Sequence, residues 1–210
     1  MPQTATARQQ PSLADSVTNA PASTAFDASS ELDRQVERLV SLGYGELTGR
    51  GDEGLREAVE PLRAAVARRA SQLAPPQPSA VPFVLVVAPR LAPPLQTMPL
   101  ITRGRRTPKP GFVSPDTQDI DRFVPIDGVD VPDADMYLLL DVHRGDEFLS
   151  WRPDDALPEI TTRGRTPLTV PEGIALVTLV PDALEKNRCF MLLGSRCGDR
   201  GACALDQRWF

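Results

Sequence analysis

Proline sets the main constraint on this chain: of its 22 prolines, all but four fall within 75–99 and 108–181. That is about twice the usual proline share of roughly 5%. Proline has no backbone N–H and holds φ near −65°, so it breaks helix interiors and is kept out of central strands. Long helices are therefore confined to the first 74 residues. The remainder of the chain is expected to be built from short strands and turns, with few helices and with prolines marking edges, bulges or turns.

Ahead of the proline-dense region, residues 1–28 are rich in Ala, Thr, Ser, Gln and Pro, with hardly any large apolar side chains. They read as a disordered tail, because ordering them would cost more than their burial returns. Ser30 with Asp33 has the spacing of a capping box, and Leu32, Val36, Leu39 and Val40 repeat at helical intervals up to Gly43, a left-handed stop. A second stripe, Leu55, Val59, Leu62, Val66, Ala70 and Leu73, spans about 53–73, with Pro61 starting its main portion or kinking it. Arg63, Arg68 and Arg69 lie off that stripe and read as a solvated face. Residues 29–74 thus form a helical hairpin, and the Pro-rich linker 75–80 comes after it. The glycines at 43, 45, 49 and 51 fall between helices and read as a flexible connection.

Past the linker the periodicity changes. Residues 83–87 read as a buried strand closed by Pro89, and further strands are expected at 95–101, 111–114, 122–126, 136–142 and 189–193. One helix stands out at 170–180: Thr169 and Glu172 make a capping box, Pro171 suits the first turn, and Pro181 ends an apolar run. A further short turn is expected after it, at 182–186. The fold class is α+β: an N-terminal helical hairpin followed, over 81–200, by a mixed, mainly antiparallel sheet domain with one buried helix, and then an irregular tail at 201–210.

A net charge of −5 provides no broad positive field, which argues against general nucleic-acid binding. The longest apolar runs fall far short of the roughly 20 residues that span a bilayer, and no charged start precedes an apolar core, so a soluble, cytoplasmic protein is expected. Cys189, Cys197 and Cys203 are odd in number and irregular in spacing, and read as ordinary thiols rather than a disulfide or zinc framework.

Two constellations carry possible chemistry. Asp141 and His143 lie two apart at a strand end with Glu147 near, an arrangement for general base work or metal holding; the competing reading is a hydrogen-bonded strand end around Gly145. Arg103, Arg105, Arg106 and Lys109, with Arg163 and Arg165 in a second basic Gly turn, form a candidate anion site, provided the two turns meet in space. Ser195 lacks the spacing of a nucleophile elbow, and no Gly-rich phosphate fingerprint follows a strand, so no metal and no cofactor is implied.

The run Asp141-Val142-His143-Arg144-Gly145-Asp146-Glu147-Phe148-Leu149, the Asp155-Ala156-Leu157-Pro158 turn, the segment from Pro167 to Leu176 and the stretch from Cys189 to Arg200 resemble an actinobacterial family of unknown function, number 5701. The resemblance covers about 31–200 and implies no activity. Family members continue beyond the Gly-Asp-Arg into a tryptophan-rich tail, so residues from about Gly201 onward are expected to be truncated or out of frame. The expectation is a non-enzymatic binding or accessory module whose partner is a small anionic ligand or a protein; the alternative is a small enzyme built on Asp141, His143 and Glu147. A pocket gathering those three beside the arginines favours catalysis, and a flat arginine patch favours binding.

Overall fold

The computed structural model describes residues 26–103, 109–185, 189–198 and 203–205. Helix α1 (Ala28–Ser41) is capped by Asp27, whose carboxylate accepts from the Ser29 and Ser30 N–H groups at 2.9 and 3.3 Å. The expected Ser30–Asp33 cap is therefore displaced by one turn. Ser30 already lies inside the helix and donates its hydroxyl to Asp27 at 2.7 Å, while Asp33 pairs with Arg63. Gly43, at φ 82°, ends α1 as expected, and the segment read as a flexible connection holds a helical turn, α2 (Tyr44–Leu47), anchored by the buried Tyr44 ring. Helix α3 (Gly51–Arg69) runs through Pro61. Glu57, whose carbonyl loses its donor there, and Pro61 itself are exposed, so solvent can satisfy the freed group. Arg56 on Glu37 (2.8 Å) and Arg63 on Asp33 tie α3 to α1.

The remaining elements are β1 (Ala80–Val87), α4 (Pro94–Thr97), β2 (Thr102–Arg103), β3 (Lys109–Pro110), β4 (Val124–Pro125), β5 (Met136–His143), α5 (Pro153–Thr162), α6 (Val170–Leu179), β6 (Phe190–Leu192), β7 (Ser195–Arg196) and β8 (Cys203–Leu205). Among the described residues the strands form antiparallel pairs, β1–β5, β2–β3, β4–β7 and β6–β8, and the class is α+β. The expected strand at 95–101 is instead α4 followed by a 3-10 turn at Met98–Leu100. Pro94 and Pro99 each stand in the first turn of a short helix, where a missing N–H costs nothing. Residues 111–114 are irregular, and 122–126 keeps only the two residues of β4 after the 3-10 turn Ile120–Arg122. The segment 155–158, read as a turn, lies in α5, which starts at Pro153 and carries Pro158 on its exposed side.

β1 is the centre of the core. Phe83, Val84, Leu85 and Val86 are essentially inaccessible, and buried side chains from α1, α3 and α6 join them in one cluster. Burying side chains of this size is worth about 1.5–3 kcal/mol each. The edge of β1 away from β5 is closed by a side chain: the buried Gln35 of α1 accepts from the Leu85 N–H (2.8 Å) and donates to the Phe83 carbonyl (3.0 Å), as a neighbouring strand would. α6 begins as expected, with the Glu172 carboxylate accepting from the Thr169 N–H at 2.8 Å and its hydroxyl at 2.7 Å. Tyr137 of β5 donates to the same carboxylate at 3.2 Å, and burial followed by the Glu172 charge pushes the phenol's pKa up.

Candidate functional site

The site begins with a proline inside a strand. The β1–β5 ladder pairs Val81 with Val142 and Phe83 with Leu140, but skips Pro82 and the residue opposite it, Asp141. Pro82 has no N–H to give the ladder, and Asp141 leaves extended conformation for φ 50°, a region that side-chain-bearing residues occupy at a cost. The disturbance is held by Arg165: its Nη2 donates to the Asp141 carbonyl, and its Nη1 donates to Asp141 Oδ2 at 2.7 Å. His143 Nε2 lies 3.0 Å from the other carboxylate oxygen. The Arg165 hydrogen bond, with His143 adding to it, holds the Asp141 carboxyl below its usual range.

Beyond β5 the chain turns at Gly145 (φ 84°) into a 3-10 turn, Asp146–Phe148, then passes Ser150 (φ 68°) on its way to α5. Arg144 anchors this loop. Its guanidinium, 7% exposed, donates to both Asp146 oxygens (2.6 and 2.7 Å), to Glu185 (2.6 Å) and to the Ala183 carbonyl (3.2 Å), and the Asp146 bonds foremost raise its pKa. Phe148 and Trp151 meet edge to face, centroids 5.5 Å apart, and the Arg163 guanidinium lies 5.0 Å from the Phe148 ring centre.

Between the end of β5, this loop, α5, residues 164–168 and β6 lies a cavity of about 800 Å³. Its far wall is locked. Gly194 donates to the Leu168 carbonyl (2.9 Å), a Cβ at Gly194 would fall 2.6 Å from the Pro167 oxygen, and Ser195 Oγ accepts from the Val170 N–H at 3.0 Å. Ser195 is thus a buried hydrogen-bond acceptor for the start of α6. Among the described residues six large hydrophobics are exposed, and four of them, Leu140, Leu149, Trp151 and Met191, line this cavity.

Asp141, His143 and Glu147 all line the cavity, together with Arg165. Arg163 stands at its edge, 2.8 Å from Glu159 and 3.6 Å from Glu147. Of the first basic turn, Lys109 is exposed on the β2–β3 pair opposite Arg103 and does not line the cavity. Arg105 and Arg106 lie outside the described residues. Phe148, Leu149, Trp151, Met191 and the exposed thiol of Cys189 line the cavity without having been singled out from sequence. The available signal was the run Phe148-Leu149-Ser150-Trp151, apolar yet enclosed by Gly145 and Pro153, so too short to form a core element. Among the described residues no group of three or more His, Cys, Asp and Glu side chains is placed to hold a metal ion, and no helix is long and apolar enough to cross a membrane.

Fold and site together define a small α+β protein with a cavity lined by apolar and charged side chains. Its sequence matches, over residues 38–209, the model of a family of unknown function (DUF5701), and the chain belongs to that family. No curated protein and no solved structure matches it.

Proposed function

We propose that this chain is a binding module, acting without catalysis, whose ligand places an apolar body in the cavity between β5, α5 and β6. The observation that carries this reading is the gathering of Leu140, Leu149, Trp151 and Met191 around one cavity. Exposed apolar side chains scattered singly need no explanation, whereas their concentration at a cavity of ligand size marks a binding site. Asp141 supports binding over proton transfer. Both its oxygens are engaged, and with its pKa held down it is a weak base.

A second reading, a small enzyme, is favoured by the convergence of Asp141, His143 and Glu147 on the cavity beside Arg165. The two readings separate under mutation. Titration with the neutral dye Nile red should show saturable binding that Leu149→Asp and Met191→Asp each weaken at least tenfold while His143→Ala leaves it unchanged. Dye binding that ignores both cavity variants would refute the binding reading. Turnover of any substrate abolished by His143→Ala would establish the second.

A further inference from the structure

Residues 147–166 leave the body of the protein and return to it without joining its core. Val142 belongs to the buried cluster and Leu168 packs against it, whereas Phe148, Leu149, Trp151, Ala156, Leu157 and Ile160 do neither. Ala156 is the one buried residue of the segment. The apolar stripe of α5, Pro153, Ala156 and Ile160, lines the cavity. A short helix is held in place by the packing of its apolar face, and here that face looks onto open space.

The segment nevertheless holds together as one piece. Arg163 reaches Glu159 at 2.8 Å and Glu147 at 3.6 Å and lies over Phe148, whose ring meets Trp151, so the turn before α5 is tied to the helix. At the far end the Arg165 N–H donates to the Ile160 carbonyl (3.2 Å), which bonds Arg165 into the end of α5. The flanks, by contrast, are set in the body. Ahead of the segment the Arg144 guanidinium is held by Glu185 and the Ala183 carbonyl, and Gly145 follows at φ 84°. Behind it Pro167 is buried and the Leu168 carbonyl accepts from Gly194.

Between those anchors, the described residues show a single polar link from 147–166 to the rest of the chain: Arg165 on Asp141, through the carboxylate and the carbonyl. The link is open to water, with side-chain exposures of 34% for Arg165 and 72% for Asp141, and solvent weakens such a pair. It also keeps Asp141 at φ 50°, a backbone conformation that is costly for a residue with a side chain. Letting go of Arg165 relieves that cost.

Resting on the cavity as the binding site, we infer that residues 147–166 are a flap over it, hinged at Gly145 and just ahead of Pro167 and latched by Arg165 on Asp141. A segment with little buried surface and one exposed tie opens at the low end of the stability range within a fold. Opening admits an apolar ligand past Leu149 and Trp151, and the latch closes behind it.

Hydrogen–deuterium exchange of the full chain, resolved by peptide mass spectrometry, tests the flap without any ligand. Amides of α5 should exchange about a hundredfold faster than those of the buried α6. Arg165→Met should speed α5 about tenfold further, as expected for a charge-assisted pair lost in solvent, while α6 keeps its rate. Asp141→Asn, which keeps the size of the side chain and suits a positive φ, should speed α5 about threefold and serves where Arg165→Met disturbs α6 as well. Amides of α5 as slow as those of α6, or α5 rates that neither variant raises, overturn the flap. Stopped-flow mixing with Nile red reads the latch: Arg165→Met should raise the association and dissociation rates together, about tenfold each, and leave Kd within about twofold. A weaker Kd at an unchanged association rate would make Arg165 a plain part of the wall and overturn the latch. If Nile red does not bind at all, the binding-module reading falls, and the exchange rates still decide whether 147–166 opens.

Discussion

Replacing Gln35 with leucine tests whether one side chain finishes the central sheet. Gln35 is fully buried, and its amide satisfies two backbone groups of β1, the Leu85 N–H and the Phe83 carbonyl, at 2.8 and 3.0 Å. Leucine nearly conserves the volume but leaves both groups facing an apolar wall. A buried polar group without a partner costs about 1–3 kcal/mol, so two cost roughly 2–6 kcal/mol. Burying an aliphatic side chain in place of an amide returns about 1 kcal/mol. The expected net loss is then about 1–5 kcal/mol, a large part of the roughly 5–15 kcal/mol available to a domain. Urea unfolding followed by circular dichroism should show a lower midpoint at unchanged slope, and the melting temperature should fall by roughly 2–20 °C, at about 2–4 °C per kcal/mol for a chain of this size. A Gln35→Leu variant within about 1 kcal/mol of the parent would mean that the β1 edge does not depend on this amide.

Two further outcomes are expected at the site. Gly194→Ala places a methyl group 2.6 and 2.7 Å from the Pro167 and Leu168 carbonyl oxygens, backbone that cannot swing aside; it should cost about 1–3 kcal/mol in urea unfolding and weaken Nile red binding, because residues 167 and 168 line the cavity. Asp141 has its pKa lowered in the folded chain, first by the Arg165 hydrogen bond, so its contribution to stability is complete above its unfolded pKa of about 3.9 and is lost as pH falls through the lower folded value. Asp141→Asn should therefore flatten the acid limb of the stability–pH curve below about pH 4, and an unchanged acid limb would show that the clamp contributes nothing.

Parts of this architecture are legible along the chain because they are local. The Thr169–Glu172 box lies within one helical turn, and the stop at Gly43 depends on that residue's own backbone freedom. The strand at 83–87 announces itself because it is buried on both faces and needs no alternation. The errors share a cause. The expected strand at 95–101 follows Pro94 and contains Pro99, and the expected turn at 155–158 follows Pro153, yet each of these prolines stands in the first turn of a helix, where its missing N–H is harmless; local composition does not distinguish the uses. The cap at Asp27 is hidden in the same way, inside a stretch whose composition reads as tail.

Asp141, His143 and Glu147 could be named from sequence because the stretch 141–147 is continuous, but their setting could not. The Asp141 clamp comes from Pro82, 59 positions earlier, and Arg165, 24 positions later. Sequence by itself determined the α+β class, the positions of β1, β5 and α6, and the net charge, since each follows from residue type and short-range periodicity. Tertiary structure alone decided that four exposed hydrophobics share a cavity and that Arg144 and Arg165 on its wall are already paired with carboxylates. Those are sums over residues far apart in the chain, and only the packed backbone brings their terms together.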